Sequence, residues 1–95
     1  MMTFLMFGKY TPESLQTISG ERTDSAVELI ERHGGKVRAM YALLGERDLV
    51  LVVDFPSVEE AMKTSIALGR MTGIAFFTNP AVSVDRFDEL VQEST

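Results

Sequence analysis

Cysteine and tryptophan are absent from this 95-residue chain, and histidine occurs once. Without cysteine there is neither a disulfide nor a thiolate metal site, and His33 alone cannot assemble an imidazole cluster. Positive charge is scarce as well. Nine Lys and Arg stand against fourteen Asp and Glu, for a net charge of −5 and a pI near 4.7. Such a balance repels phosphate backbones and anionic lipid, so neither nucleic acid nor a membrane is an expected partner. No apolar run approaches the roughly 18 residues of a spanning helix. The opening stretch, Met1 to Phe7, lacks a basic region and a small-residue cleavage site, which argues against a signal peptide and makes the cytoplasm the expected compartment. The glycines form neither GxGxxG nor a Walker A loop, and no cofactor is expected. What the chain does have is 45% apolar residues and no linker, repeat or low-complexity tract. That composition predicts one folded domain over residues 1–95.

The apolar pattern predicts a first strand from Thr3 to Gly8. Thr11-Pro12-Glu13 reads as a helix start, with Thr11 as acceptor for orphan N–H groups and Pro12 at the first helical position. This helix falters at Ser19-Gly20, resumes from about Thr23 or Asp24, and stops at Gly34-Gly35. Lys36 to Leu44 is a second strand, with Val37, Ala39, Tyr41 and Leu43 on one face. A short turn, Gly45-Glu46-Arg47-Asp48, joins it to a strand from Leu49 to Phe55 as an antiparallel hairpin. Ser57 and Glu60 form a capping box that opens a second helix ending near Gly73. A fourth strand runs from Ile74 to Thr78, is interrupted by Asn79-Pro80, and resumes over Ala81 to Val84. Phe87 to Val91 is one last turn or two of helix. The βαββαβ order predicts an α+β, ferredoxin-like fold: a four-stranded antiparallel sheet with two helices on one face.

Two helices on one face should leave polar residues on the other. The strands do not comply, since Leu5 and Phe7 oppose Phe4 and Met6, while Val50 and Val52 oppose Leu49, Leu51 and Val53. An apolar face of roughly 300 Å² therefore stays uncovered, given strand spacing near 4.8 Å and a rise near 3.3 Å. Pairing two such faces removes about 600 Å² from water, worth roughly 15 kcal/mol gross. Association itself costs about 4–15 kcal/mol. A homodimer or higher oligomer is expected, with the segment beyond Pro80 adding contacts. The competing arrangement has that segment fold back as a lid over its own sheet.

The ordered motifs Phe7-Gly8-Lys9-Tyr10-Thr11-Pro12-Glu13, Gly34-Gly35-Lys36, Tyr41 to Asp48 and Phe55-Pro56-Ser57 closely resemble the GYD domain family. The resemblance covers Thr3 to about Phe87 and implies a dimeric α/β barrel of ferredoxin-like type. Gly45 and Asp48 match the family's Gly-x-Tyr-Asp, with Arg47 where Tyr is expected. Ala75-Phe76-Phe77-Thr78 stands where the family tends to carry an Arg-Thr-x-Thr-like stretch.

Candidate ligand contacts follow from polar residues near predicted openings. Arg47 and Asp48 lie at the mouth of a pocket between sheet and helices, where Arg47 could grip a carboxylate; as turn residues they need no ligand. Tyr41 carries a polar tip mid-strand. Lys9 lies near the start of the first helix, whose backbone donors favour anions, and Arg22 in the helix break reaches the same opening. His33 suits the negative end of its helix, and no catalytic residue is assigned. An RNA-binding role, which shares the topology, would need exposed aromatics amid basic charge; Leu49 to Val53 is aliphatic. Two functions stay open: a non-catalytic homo-oligomer binding a small, partly apolar molecule between sheet and helices, or a cofactor-free enzyme like the monooxygenases and isomerases of the dimeric α/β barrel superfamily. One Asn, one His and no Trp favour the first.

Overall fold

Eight elements, β1 (Met2–Lys9), α1 (Pro12–Gln16), α2 (Gly20–Arg32), β2 (Lys36–Ala42), β3 (Leu49–Phe55), α3 (Val58–Thr72), β4 (Ala75–Ala81) and α4 (Val84–Glu93), make up a computed structural model that describes residues 1–95. The strands are antiparallel in the order β2-β3-β1-β4. That is the ferredoxin-like arrangement, with β1 and β3 central. Phe4, Met6, Leu51, Val53 and Phe55 point to one face and pack under α2 and α3, which contribute Leu29, Ile30, Ala61 and Leu68. Phe4 and Phe55 meet edge to face at 5.8 Å between ring centroids, a favoured aromatic geometry.

Local chemistry explains where the helices start. Thr11 Oγ1 accepts from the Ser14 N–H at 3.1 Å, and Ser14 Oγ accepts from the Thr11 N–H at 2.8 Å. This reciprocal pair closes the first turn of α1. The break falls at Thr17 to Ser19. There Ser19 Oγ accepts from the Arg22 N–H at 3.0 Å, so α2 opens at Gly20, earlier than the expected Thr23. The Ser57 box forms only in part. Ser57 Oγ accepts from the Glu60 N–H at 3.2 Å, but the Glu60 carboxylate turns to His33 Nδ1 and Lys63 Nζ, both at 3.3 Å. The Lys63 ammonium and the His33 ring nitrogen together outcompete one neutral backbone N–H for that carboxylate. Gly73, at φ 75°, ends α3 in the left-handed region that a side chain disfavours.

Three strand expectations are corrected. β2 stops at Ala42 rather than Leu44, because the Leu43 N–H donates to the Asp48 carbonyl at 2.8 Å and closes the hairpin there. Within β2 a bulge lies between Val37 and Ala39, so that Val37 pairs with Val53 but Ala39 pairs with Val52. One extra residue resets the alternation. Val37 and Met40 consequently share the helix-covered face, while Ala39 and Tyr41 move to the opposite one. β4 is not interrupted at Asn79-Pro80. It pairs with β1 throughout, Leu5 against Asn79 and Phe4 against Pro80. Being an edge strand, it has one side without a partner, where the missing N–H of proline is tolerated. Finally, α4 is a ten-residue helix that does not fold back over the sheet, and all its residues are exposed.

Candidate functional site

The sheet face opposite α2 and α3 has no cover from its own chain. Its floor is Leu5 and Phe7 from β1, Val50 and Val52 from β3, and Phe77 from β4, aligned by the Phe7–Val50, Leu5–Val52 and Phe7–Phe77 pairings. All are partly or fully accessible, Phe77 at 44%. An apolar floor with a few polar groups at its margin is the usual composition of a recognition surface.

Two polar groups stand at one end. Tyr41, set on this face by the bulge, is 61% exposed. The Arg47 guanidinium lies 4.1 Å above the centre of the Phe77 ring, where the ring's negative face attracts a cation. No carboxylate forms an ion pair with Arg47. Toward the other end the bulge residue Arg38 reaches Asp54, Nη1 to Oδ2 at 2.8 Å, and Thr3 Oγ1 donates to Asp54 Oδ1 at 2.7 Å. The Asp54 side chain is only 10% exposed. Sequence reading missed this triad, although a single acid in Leu49–Phe55 and a single interior base in the facing strand were its signal.

The other candidate residues are engaged elsewhere. Asp48 Oδ2 accepts from the Tyr10 N–H at 2.7 Å, and the Asp48 N–H donates to the Gly8 carbonyl at 2.9 Å. Lys9 Nζ donates to the Glu46 carbonyl at 3.0 Å and lies 3.9 Å from Asp48 Oδ2. These two residues fasten the hairpin turn to the end of β1. Arg22 Nη1 donates to the Ser14 carbonyl at 2.6 Å and to Thr17 Oγ1 at 2.8 Å, bridging the break between α1 and α2. Thus Lys9 and Asp48 come together, Tyr41 and Arg47 lie on the open face rather than between sheet and helices, and the Arg22 guanidinium lies 5.8 Å from the centre of the Tyr10 ring, whose residue donates its N–H to Asp48. Between helix and sheet there is instead an apolar groove of about 270 Å³ along α3 and β4, with Ser65 and Thr78 hydroxyls 2.8 Å apart in its wall.

Charge in the triad has a measurable consequence. The Arg38 guanidinium first, and the Thr3 hydroxyl second, hold the Asp54 carboxyl below its usual range against the opposing effect of burial. A carboxyl more acidic folded than unfolded stabilises the fold fully above its unfolded pKa of about 4. That contribution disappears as pH falls through the lower folded value. Asp54→Asn is therefore expected to lose less stability than the parent chain between pH 5 and pH 3, as read from urea midpoints. Parallel losses would mean that Arg38 does not hold this carboxylate. Glu60, lowered by His33 and then Lys63, adds acid sensitivity of the same sign in both proteins.

No helix is long and apolar enough to cross a membrane. The GYD domain family model matches residues 4–91, nearly the whole chain. Among solved structures, the chain is similar to the crystal structure of Mycobacterium tuberculosis leucine response regulatory protein (LrpA), with a TM-score of 0.57 at 12% identity. The superposition covers 86% of this chain and 51% of that one, so this chain spans about half its length. At that identity the likeness concerns the ferredoxin-like fold alone. No curated protein matches the chain.

Proposed function

Because this chain belongs to the GYD domain family, we propose that it works as a homodimer closed sheet to sheet, a dimeric α/β barrel, that binds a small, partly apolar anion at the margin of the joined faces. The supporting observation is the apolar strip Leu5, Phe7, Val50, Val52 and Phe77 on the face that neither α2 nor α3 covers. Soluble chains seldom leave such a strip bare without a partner for it. A two-fold pairing is the commonest way to bury one patch against itself.

The ligand half of this reading rests on Arg47. A guanidinium above an aromatic ring, without a carboxylate of its own, recognises a carboxylate or phosphate by paired N–H donors. Tyr41 adds a phenol on the same face, and the aliphatic floor accepts an apolar body. Lys9, Asp48 and Arg22 serve this arrangement indirectly, by fixing the turn that carries Arg47 and the helix break beside β1.

Native mass spectrometry of freshly purified protein tests both halves. The expected species is a dimer of the 10.6 kDa chain, carrying a small adduct that Arg47→Ala loses while staying dimeric. A 10.6 kDa species at micromolar concentration would overturn the pairing, and an adduct unaffected by Arg47→Ala would remove Arg47 from the site.

A further inference from the structure

The C-terminal helix poses a separate problem. α4 is ten residues long and wholly exposed, and isolated helices shorter than about 12–15 residues are marginal in water. Its apolar side chains are not scattered. Val84, Phe87 and Val91 recur at helical spacing on one side, flanked by Leu90, with Asp85, Asp88, Glu89 and Glu93 elsewhere on the surface. Such a stripe implies a surface to pack on. The helix does not find one on its own body. Ser83 Oγ accepts from the Arg86 N–H at 3.1 Å and sets the helix going outward two residues after β4 ends. The molecule is accordingly long, 50 × 30 × 18 Å, with a radius of gyration of 14.4 Å, against about 12 Å for a compact chain of this size.

A complementary stripe exists. Along α3, Val58, Met62 and Ile66 follow one another at four-residue spacing and remain 46–60% exposed. With Thr78 and Pro80 of β4 they line the groove of about 270 Å³. Its lining is mostly apolar, as is the stripe along α4.

Resting on the dimer reading above, we infer that α4 of each copy seats its Val84–Phe87–Val91 stripe in the α3–β4 groove of the other, a reciprocal exchange of C-terminal arms. Area carries the choice of a second copy as the occupant. Two open sheet faces bury only about 600 Å² together, from strand spacing and rise, whereas stable complexes bury about 1,200–2,000 Å². A ten-residue helix is about 15 Å long and roughly 10 Å wide. Two such arms, each covering an equal area of groove, add about 600 Å². Face and arms together reach the range that a lasting dimer requires; either alone falls short.

The natural absence of cysteine makes the test clean. Phe87→Cys is prepared at natural isotope abundance and Met62→Cys with uniform ¹⁵N, and the two are mixed and gently oxidised. The expected product is a disulfide joining a labelled to an unlabelled chain through positions 62 and 87. Glu89→Cys, on the far side of α4 from the stripe, should give at least about tenfold less of it. Phe87→Asp, with the full chain retained, should weaken the dimer at least about tenfold by dilution light scattering while leaving the circular dichroism of the fold unchanged. A wild-type dimer without the mixed 62–87 link overturns the arm exchange and leaves the sheet pairing standing. A disulfide confined to single chains of a Met62→Cys/Phe87→Cys variant at high dilution also overturns it, because α4 would then serve its own groove. A wild-type monomer overturns both readings.

Discussion

Val52→Asp is expected to leave a folded chain of single-copy mass, whereas Leu51→Asp is expected not to fold. The two residues are neighbours in one apolar strand, and composition gives no reason to separate them. Their register does. Leu51 pairs with Met6 and Met40 and is 1% exposed beneath the helices. A carboxylate there must be buried without a partner or be protonated, and breaking a core in this way costs about 3–5 kcal/mol beyond the lost leucine packing. That consumes most of the roughly 5–14 kcal/mol available to a chain of this length. Val52 pairs with Leu5 and Ala39 on the open face, where a carboxylate remains in water as long as the chain is alone. Pairing buries it in both copies, and a loss of at least about 4 kcal/mol in association, near a thousandfold in dissociation constant, follows. Circular dichroism with light scattering separates the outcomes. Equal behaviour of the two variants would contradict the register of β3.

That same register marks where the sequence could be read and where it could not. β1, β3 and α3 were legible because their apolar periods are long and their ends carry Pro56, Ser57 and Gly73. The uncovered face was legible too, since alternation in β1 and β3 is apolar on both sides. β2 misled because a bulge has no signature of its own in Lys36–Ala42. One inserted residue at Arg38 sends Tyr41 to the opposite face, and the pocket expected between sheet and helices loses that phenol. Pro80 misled for a different reason, as a proline is disruptive or harmless according to whether its strand is central or at an edge, and strand order is a tertiary property. The ligand candidates divide likewise. Asp48 drew attention within the turn and Lys9 by its place before the first helix, and the hairpin turn accounts for their meeting. Arg47 owes its position to Phe77, thirty residues away, a contact that no local pattern announces.

Gly35→Ala is expected to destabilise the fold by about 2–3 kcal/mol, and Gly20→Ala to stabilise it by about 0.4–1 kcal/mol. The two glycines bracket the long second helix from either end and invite the same substitution. A Cβ on Gly35 would lie 2.7 Å from Ile30 Cγ2, 2.7 Å from Phe55 Cε1 and 3.0 Å from the Ile30 carbonyl oxygen. Neither side chain has room to retreat, because Ile30 and Phe55 are fully buried in the core. The backbone is held as well, since the Gly35 N–H donates to that same carbonyl at 2.9 Å. The added methyl must push the end of α2 off β3 or force a core side chain from its rotamer. A Cβ on Gly20 would meet nothing within 4 Å, and the residue lies in the first turn of α2 without a positive φ. Alanine there mainly narrows the unfolded ensemble. With slopes of about 1–3 kcal/mol per molar urea for a domain this small, the midpoints of the two variants should differ by roughly 1 M or more at unchanged slope. Coinciding midpoints would mean that α2 does not close against Phe55, and the packing that holds the helices to one face of the sheet, and so leaves the other face free, would have to be redrawn.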